Sequence, residues 1–259
     1  MNLYFNKKLA DQYKSHSQRA KALTEDWVNQ QGYCPNCGES KFIKLKNNSP
    51  VGDFLCVKCQ EEFELKSNKK DFKTKIVDGA YETMIKRLRS QNNPNLFLLN
   101  YDLSNFEVSN FLVVPKHFFI PDIIEERKPL APGTRRQNWI GCNILFHLIP
   151  DSGKIFLVRN RLVESKEKVC AVWQKTLFLR EEKRIEDKGW LLDIMRCIEQ
   201  TRKKEFTLAD VYKFELYLAH QHPDNRHIKD KIRQQLQILR DRGYLEFIGR
   251  GRYRSIYLT

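Results

Sequence analysis

The sequence predicts an α/β protein in two parts: a mixed core with an inserted four-cysteine zinc site, then a C-terminal winged helix. Three observations predict this. Cys34-Pro35-Asn36-Cys37 and Cys56-Val57-Lys58-Cys59 form two metal knuckles. Short apolar runs bounded by turn residues alternate with helical spacing over the first two thirds of the chain. Three amphipathic segments closed by a basic hairpin make up the remainder. The expected boundary divides residues 1–182 from 183–259.

The first element expected is a helix over residues 6 to 30, with Leu9, Tyr13, Ala20, Leu23 and Trp27 near helical spacing. Within it, Thr24-Glu25-Asp26-Trp27 reads as a local helix start, a hydroxyl preceding acidic first-turn positions. The cysteine segment follows. After Lys66 come Lys69, Lys70, Lys73 and Lys75, an exposed basic loop. Residues 77 to 90 read as helical, with Ala80, Met84, Ile85 and Leu88 on one side. Leu96–Leu99, Asn110–Val114 and Ile155–Val158 read as buried strands. The charged stretch from Arg180 to Gly189 reads as a linker. Beyond it, Trp190, Leu191, Ile194, Met195 and Ile198 mark one helix. Thr207 caps a second, carrying Leu208, Val211, Phe214 and Leu218. Ile228, Ile232, Leu236 and Leu239 mark a third, which Gly243 stops. Tyr244–Ile248, the turn Gly249-Arg250-Gly251 and a return strand from Tyr253 to Leu258 form the hairpin.

Composition narrows the partner. The 259 residues carry a formal charge of +14 and a pI near 9.4, which points to a polyanion, with nucleic acid the default. No run of about 20 apolar residues exists to span a membrane. Met1 to Lys8 lacks an apolar signal core. Seven cysteines, four of them in paired motifs, fit a reducing cytoplasm better than a disulfide framework. Cys142, Cys170 and Cys197 read as small core fillers.

The two knuckles, with 18 residues between Cys37 and Cys56, have the spacing of a tetrahedral zinc site. Four thiolates from Cys34, Cys37, Cys56 and Cys59 leave no open position, so the Zn²⁺ expected here is structural. Around the second knuckle lie Asp53, Glu64 and Lys66. Two carboxylates suit Mg²⁺, a hard cation, and a lysine two residues beyond the second acid shares its strand face. That set can hold a cation and put an ammonium beside an attacking water, as phosphodiester hydrolysis requires. Taken alone, the pattern also fits a solvated strand face.

Longer runs are more specific. They include Leu23–Val28, Tyr33–Gly38, Glu61–Ser67, Asp78–Tyr81, Arg127–Pro132, Trp139–Ile144 and Ile228–Asp241. On these the chain closely resembles the DpnI-like methyl-directed type II restriction endonucleases, over nearly its whole length. The resemblance implies a PD-(D/E)xK catalytic domain and a winged helix. It also implies double-strand cleavage of DNA at GATC when the adenine is N6-methylated. By position it makes Asp53, Glu64 and Lys66 the catalytic set. The backbone carbonyl of Leu65 becomes a further Mg²⁺ ligand and the four cysteines the zinc ligands. One departure is visible: Gly52 precedes Asp53, and Pro50 lies three residues before the acid.

Two places are candidates for touching DNA, expected as an adenine-methylated duplex; the protein is expected to be a monomer in solution. The third C-terminal helix offers Lys229, Arg233, Gln234 and Gln237, and the hairpin offers Arg250, Arg252 and Arg254. From Asn225 to Arg254 there are nine Lys/Arg and three Asp/Glu, a net of +6. The other place is Thr134–Trp139, where Arg135, Arg136 and Trp139 suit groove contact or stacking, although Trp139 equally suits a core anchor. Two other functions remain open on the residues: a non-catalytic zinc-ribbon, winged-helix regulator, and a junction-resolving or repair nuclease.

Overall fold

The computed structural model describes residues 1–45 and 52–257. Pro50, and Leu258 at the end of the expected return strand, lie outside the described residues. The chain forms two compact units, Met1–His147 with Gly153–Gln174, and Leu148–Ser152 with Lys175–Thr259.

The first unit opens with α1 (Lys7–Ala10) and α2 (His16–Gln31). The expected single helix is therefore two, and Thr24 does not start one. Its Oγ1 donates back to the Ala20 carbonyl at 2.9 Å, a bond open to a threonine inside a helix. The true start is Ser15, in extended backbone ahead of His16. Then come β1 (Phe42–Lys44), β2 (Phe54–Cys56), β3 (Glu62–Asn68) and β4 (Ile76–Ala80). Helix α3 (Tyr81–Arg89) follows. It begins four residues later than its apolar spacing suggests, because 77–80 pair in a sheet instead. Next are β5 (Asn95–Asp102), β6 (Glu107–Val114), β7 (Ile124–Glu126), β8 (Gly141–Ile144), β9 (Ile155–Arg159), β10 (Leu162–Val163) and α4 (Lys166–Gln174).

A seven-stranded sheet runs β1-β2-β3-β5-β6-β9-β10, and β4-β8-β7 forms a second sheet. Strands β3 and β5 pair in parallel from Phe63↔Asn95 to Asn68↔Asn100, whereas every other pair in the large sheet is antiparallel. The central strands β5 and β6 are apolar on both faces, with Leu96–Leu99 and Phe111–Val114 all buried, as a strand covered on both sides must be. Phe63 stacks on Phe97 with ring centroids 4.4 Å apart, and Phe97 meets Phe111 at 4.9 Å. Trp27 of α2 sets its ring edge-on to Phe111. Burying each such side chain stabilises the fold by about 1.5–3 kcal/mol. Phe63 thereby fixes the register of β3. With Phe63 inward, Glu64 and Lys66 share the opposite face.

The second unit comprises α5 (Ile185–Gln200), β11 (Glu205–Thr207), α6 (Leu208–Tyr212), α7 (Glu215–Gln221), α8 (Ile228–Asp241), β12 (Leu245–Gly249) and β13 (Arg252–Ser255). Its sheet runs β11-β13-β12, antiparallel throughout. Helices α5, α6 and α7 pack on α8, whose Ile232, Leu236 and Leu239 are fully buried. This is the expected winged helix, with two corrections. The stretch taken as a linker already supplies the first turn of α5, where Lys188 is buried. The second helix breaks into α6 and α7 at Lys213-Phe214, with Phe214 outside helical backbone.

Candidate nuclease site and zinc site

The cysteine site rests on two tight turns. Gly38 N–H donates to the Cys34 carbonyl at 2.8 Å, and Gln60 N–H to the Cys56 carbonyl at 3.1 Å. Both turns close through left-handed backbone, φ +74° at Gly38 and +59° at Gln60; glycine takes that conformation at little cost. Helix α4 braces the first turn: Lys166 Nζ donates to the Gly38 carbonyl at 3.0 Å and Gln174 Nε2 to the Asn36 carbonyl at 2.8 Å. The four Sγ atoms lie within 4.8 Å of one another, with Cys34–Cys59 at 3.4 Å and Cys37–Cys56 at 3.6 Å. Zn–S bonds of about 2.3 Å give tetrahedral edges near 3.8 Å, so the four sulfurs fit a zinc ion. Burial pushes the thiols of Cys34 and Cys37 up, the latter to about 11, so thiolates there require a nearby cation.

The acidic cluster lies on the same hairpin. Asp53 sits just ahead of β2, tied by its own N–H to the Phe63 carbonyl at 2.8 Å. Its Oδ2 accepts from the Leu65 N–H at 2.7 Å. A side chain at Gly52 would come within 2.9 Å of the Phe63 carbonyl oxygen, and φ is +133° there, so the residue before the acid must be glycine for this close approach. Glu64 Oε1 accepts from Lys66 Nζ at 2.6 Å. The structure thus brings Asp53, Glu64 and Lys66 together, with Leu65 between the last two. Burial lifts the Asp53 carboxyl above the ordinary carboxylate range, against the pull of the Leu65 amide. Burial and then the Asp78 charge lift that of Glu64. Burial alone would lower the Lys66 ammonium, yet Glu64 and Asp78 outweigh it and raise it. Two hard-oxygen donors, each disfavoured as a bare anion, fit a divalent cation.

Two acids escaped the sequence reading. Asp78 on β4 accepts from Lys66 Nζ at 2.7 Å and is buried. Its signal was Ile76-x-Asp78, an acid on the inward face of a strand, hidden by the helical reading of 77–90. Glu25 is also buried, between Lys44 at 2.7 Å and Lys21 at 3.4 Å, and its charge reaches Asp53. An acid between Leu23 and Trp27, both in the core, was the available sign. Beside Glu64 and Asp78 opens a cavity of about 130 Å³, lined further by Thr83, Met84, Asn93 and Phe119.

The expected DNA contacts fall into separate places. Arg135 and Arg136 are exposed in a turn of the first unit. Trp139 is half-buried, with its ring over Gly141, where a side chain would approach within 2.8 Å. On α8, Lys229 pairs with Glu215 at 3.2 Å, and Arg233 pairs with Asp230 and donates to the Tyr212 hydroxyl at 3.1 Å. On the hairpin, Arg254 pairs with Glu205 at 2.8 Å and Glu246 at 2.9 Å, and Arg252 with Glu205 at 3.7 Å. Gln234, Gln237 and Arg250 are exposed. Exposed pairs of this kind are screened by water and contribute little, so a phosphate can displace the carboxylates at little cost. No helix among the described residues is long and apolar enough to cross a membrane.

Comparison with known families gives two matches. Residues 1–182 match the DpnI model, described as the Dam-replacing family, and residues 186–255 match its companion, the Dam-replacing HTH domain.

Proposed function

The chain belongs to the Dam-replacing (DpnI) family, a family of restriction endonucleases, and on that premise we propose that it cuts both strands of DNA at GATC sites carrying N6-methyladenine, with Mg²⁺. One observation carries the catalytic reading. Glu64 and Lys66 project from one face of β3 with their charged ends 2.6 Å apart, and Asp53 is bonded to the amide of Leu65 between them. In this reading Asp53, Glu64 and the Leu65 carbonyl hold the cation, which when bound neutralises charge developing on the phosphate and activates water. Lys66 orients the attacking water and offsets charge in the transition state. Cys34, Cys37, Cys56 and Cys59 hold a structural Zn²⁺ that keeps the β2–β3 hairpin in shape.

The division of labour follows the expected ranges, 1–182 for cleavage and 183–259 for DNA binding, in a cytoplasmic monomer. Arg135, Arg136 and Trp139 contact the duplex from the catalytic part. Lys229, Arg233, Gln234 and Gln237 of α8 enter the major groove, and Arg250, Arg252 and Arg254 follow the backbone. The test incubates the protein with methylated and unmethylated plasmid, in Mg²⁺ or EDTA. Discrete fragments from methylated plasmid in Mg²⁺ alone are expected. Binding without fragments under any condition would make the chain a DNA-binding regulator, and equal cutting of both plasmids would remove methyl direction.

A further inference from the structure

Asp78 is an anomaly in its strand. Ile76 and Asp78 share the inward face of β4, where period-two alternation calls for apolar residues, and both are buried. The backbone is shaped around the acid. Pairing with β8 shifts register between Asp78 and Ala80, and the displaced Gly79 N–H donates to Asp78 Oδ1 at 2.7 Å. Such bulges re-aim side chains beside active sites. The same Oδ1 lies 2.7 Å from Lys66 Nζ, while Oδ2 is buried with no hydrogen-bond partner among the described residues. Burying a carboxylate this way is costly unless a cation compensates it, and among the described residues Lys66 is the cation in contact.

The partners of Lys66 are not equivalent. Its ammonium touches two carboxylates, Glu64 at 2.6 Å and Asp78 at 2.7 Å. Glu64 comes from the same strand and is a quarter exposed, whereas the Asp78 side chain is 5% exposed and comes from another sheet. We propose that Asp78 is the positioning residue for Lys66, a buried counter-charge that holds the ammonium over the β3 face and keeps it there when Glu64 is engaged elsewhere. This rests on the reading of Lys66 as part of the catalytic set. Asp78 acts through Lys66 and not on the phosphate.

The test is a double-mutant cycle in the full-length, zinc-loaded chain. In Mg²⁺, Asp78→Asn, which keeps shape and loses charge, is expected to lower the single-turnover cleavage rate on the order of 10–100-fold, as for other residues that orient a catalytic group. Affinity for DNA stays within about twofold. In a Lys66→Ala background the same change costs nothing further. Asp78→Glu keeps the charge, and the 130 Å³ cavity beside it takes the extra methylene, so it recovers most of the rate. A second readout needs no activity. Without added Mg²⁺ and with zinc retained, the urea midpoints of Asp78→Asn, Lys66→Met and the double variant are compared, and the double loses less than the sum of the singles. Asp78→Asn cleaving at the wild-type rate, an undiminished penalty in the Lys66→Ala background, or additive midpoints would each overturn the proposal. A fully active Lys66→Ala chain would instead overturn the underlying catalytic reading.

Discussion

The four-cysteine cluster and the acid–lysine cluster share the β2–β3 hairpin and are built in opposite ways. The cysteine cluster uses one donor type four times, and each pair is set by a tight turn of its own. Closing it takes a single long-range contact between two knuckles. The acid–lysine cluster mixes charges, spaces its members over 26 positions from Asp53 to Lys66 and on to Asp78, and draws its last member from another sheet. Local chemistry therefore announces the first cluster, and only tertiary structure completes the second. Binding a structural ion can be encoded by turns, whereas aiming an ammonium requires neighbours distant in sequence.

Breaking the zinc half should have the largest effect. Structural zinc contributes about 10–16 kcal/mol in small sites, more than the net stability of an ordinary domain. Cys34→Ser or Cys56→Ser is expected to give poorly folded protein, read by circular dichroism and by loss of one zinc per chain in elemental analysis. A zinc-free chain that remains folded and cleaves DNA would overturn the structural assignment. Breaking the acid half should leave the fold alone. Asp53→Ala and Glu64→Ala are each expected to abolish cleavage while binding to methylated DNA persists, because on the proposed reading each removes a cation ligand and not a phosphate contact. Normal cleavage by Asp53→Ala would remove it from the catalytic set. The comparison is sharpest when both readouts are taken on both variants: zinc-site changes lose fold and activity together, and the Asp53 and Glu64 changes lose activity while the chain stays folded.

The same divide sets how much was legible in the sequence. Continuous apolar runs gave β5 and β6, because strands buried on both faces need no partner information to be recognised, and the run Ile155–Val158 gave β9, where Phe156 is half-buried. Period two gave the shared face of Glu64 and Lys66. The three helix signals and hairpin gave the winged helix. The errors occur where a local rule met a tertiary demand. Thr24 and Glu25 resemble a helix start but lie inside α2, Glu25 because two lysines compensate it in the core. Residues 77–80 have helical spacing yet pair with β8, since the second sheet needs them. The charged run before Gly189 looked like a linker because Lys188 is buried only once α5 has packed.

A smaller effect tests residues for which local spacing says little. Arg233 lies on the exposed face of α8, held by Asp230 and the Tyr212 hydroxyl. If it reads a base bidentately, Arg233→Ala is expected to weaken binding to methylated GATC by about 1–3 kcal/mol and to spare unrelated sequences, in titrations at fixed salt. Gln234→Ala is expected to behave alike. A loss equal on every sequence, with a shallower salt dependence, would reassign Arg233 to phosphate contact.

The smallest effect returns to a signal that is wholly local. Thr207 caps α6: its Oγ1 accepts from the Asp210 N–H at 3.2 Å, while the Asp210 carboxylate accepts from the Thr207 N–H at 2.9 Å. This reciprocal box satisfies donors that a helix start leaves open, and Thr207→Ala should cost about 1 kcal/mol of stability. Asp210 adds a pH signature. Its hydrogen bond from Lys203, at 2.7 Å, and then those from Thr207 hold its carboxyl well below the ordinary range. A carboxyl depressed in the folded state stabilises the fold at every pH above its unfolded value, about 3.9, and that contribution fades as pH falls from there toward the folded value. Asp210→Asn is therefore expected to lower the urea midpoint at pH 7, with the gap from the wild type narrowing as the pH is taken below about 4. A gap that stays constant down to pH 3 would mean that the carboxylate charge contributes nothing to the cap, leaving the Thr207 hydroxyl as its whole basis.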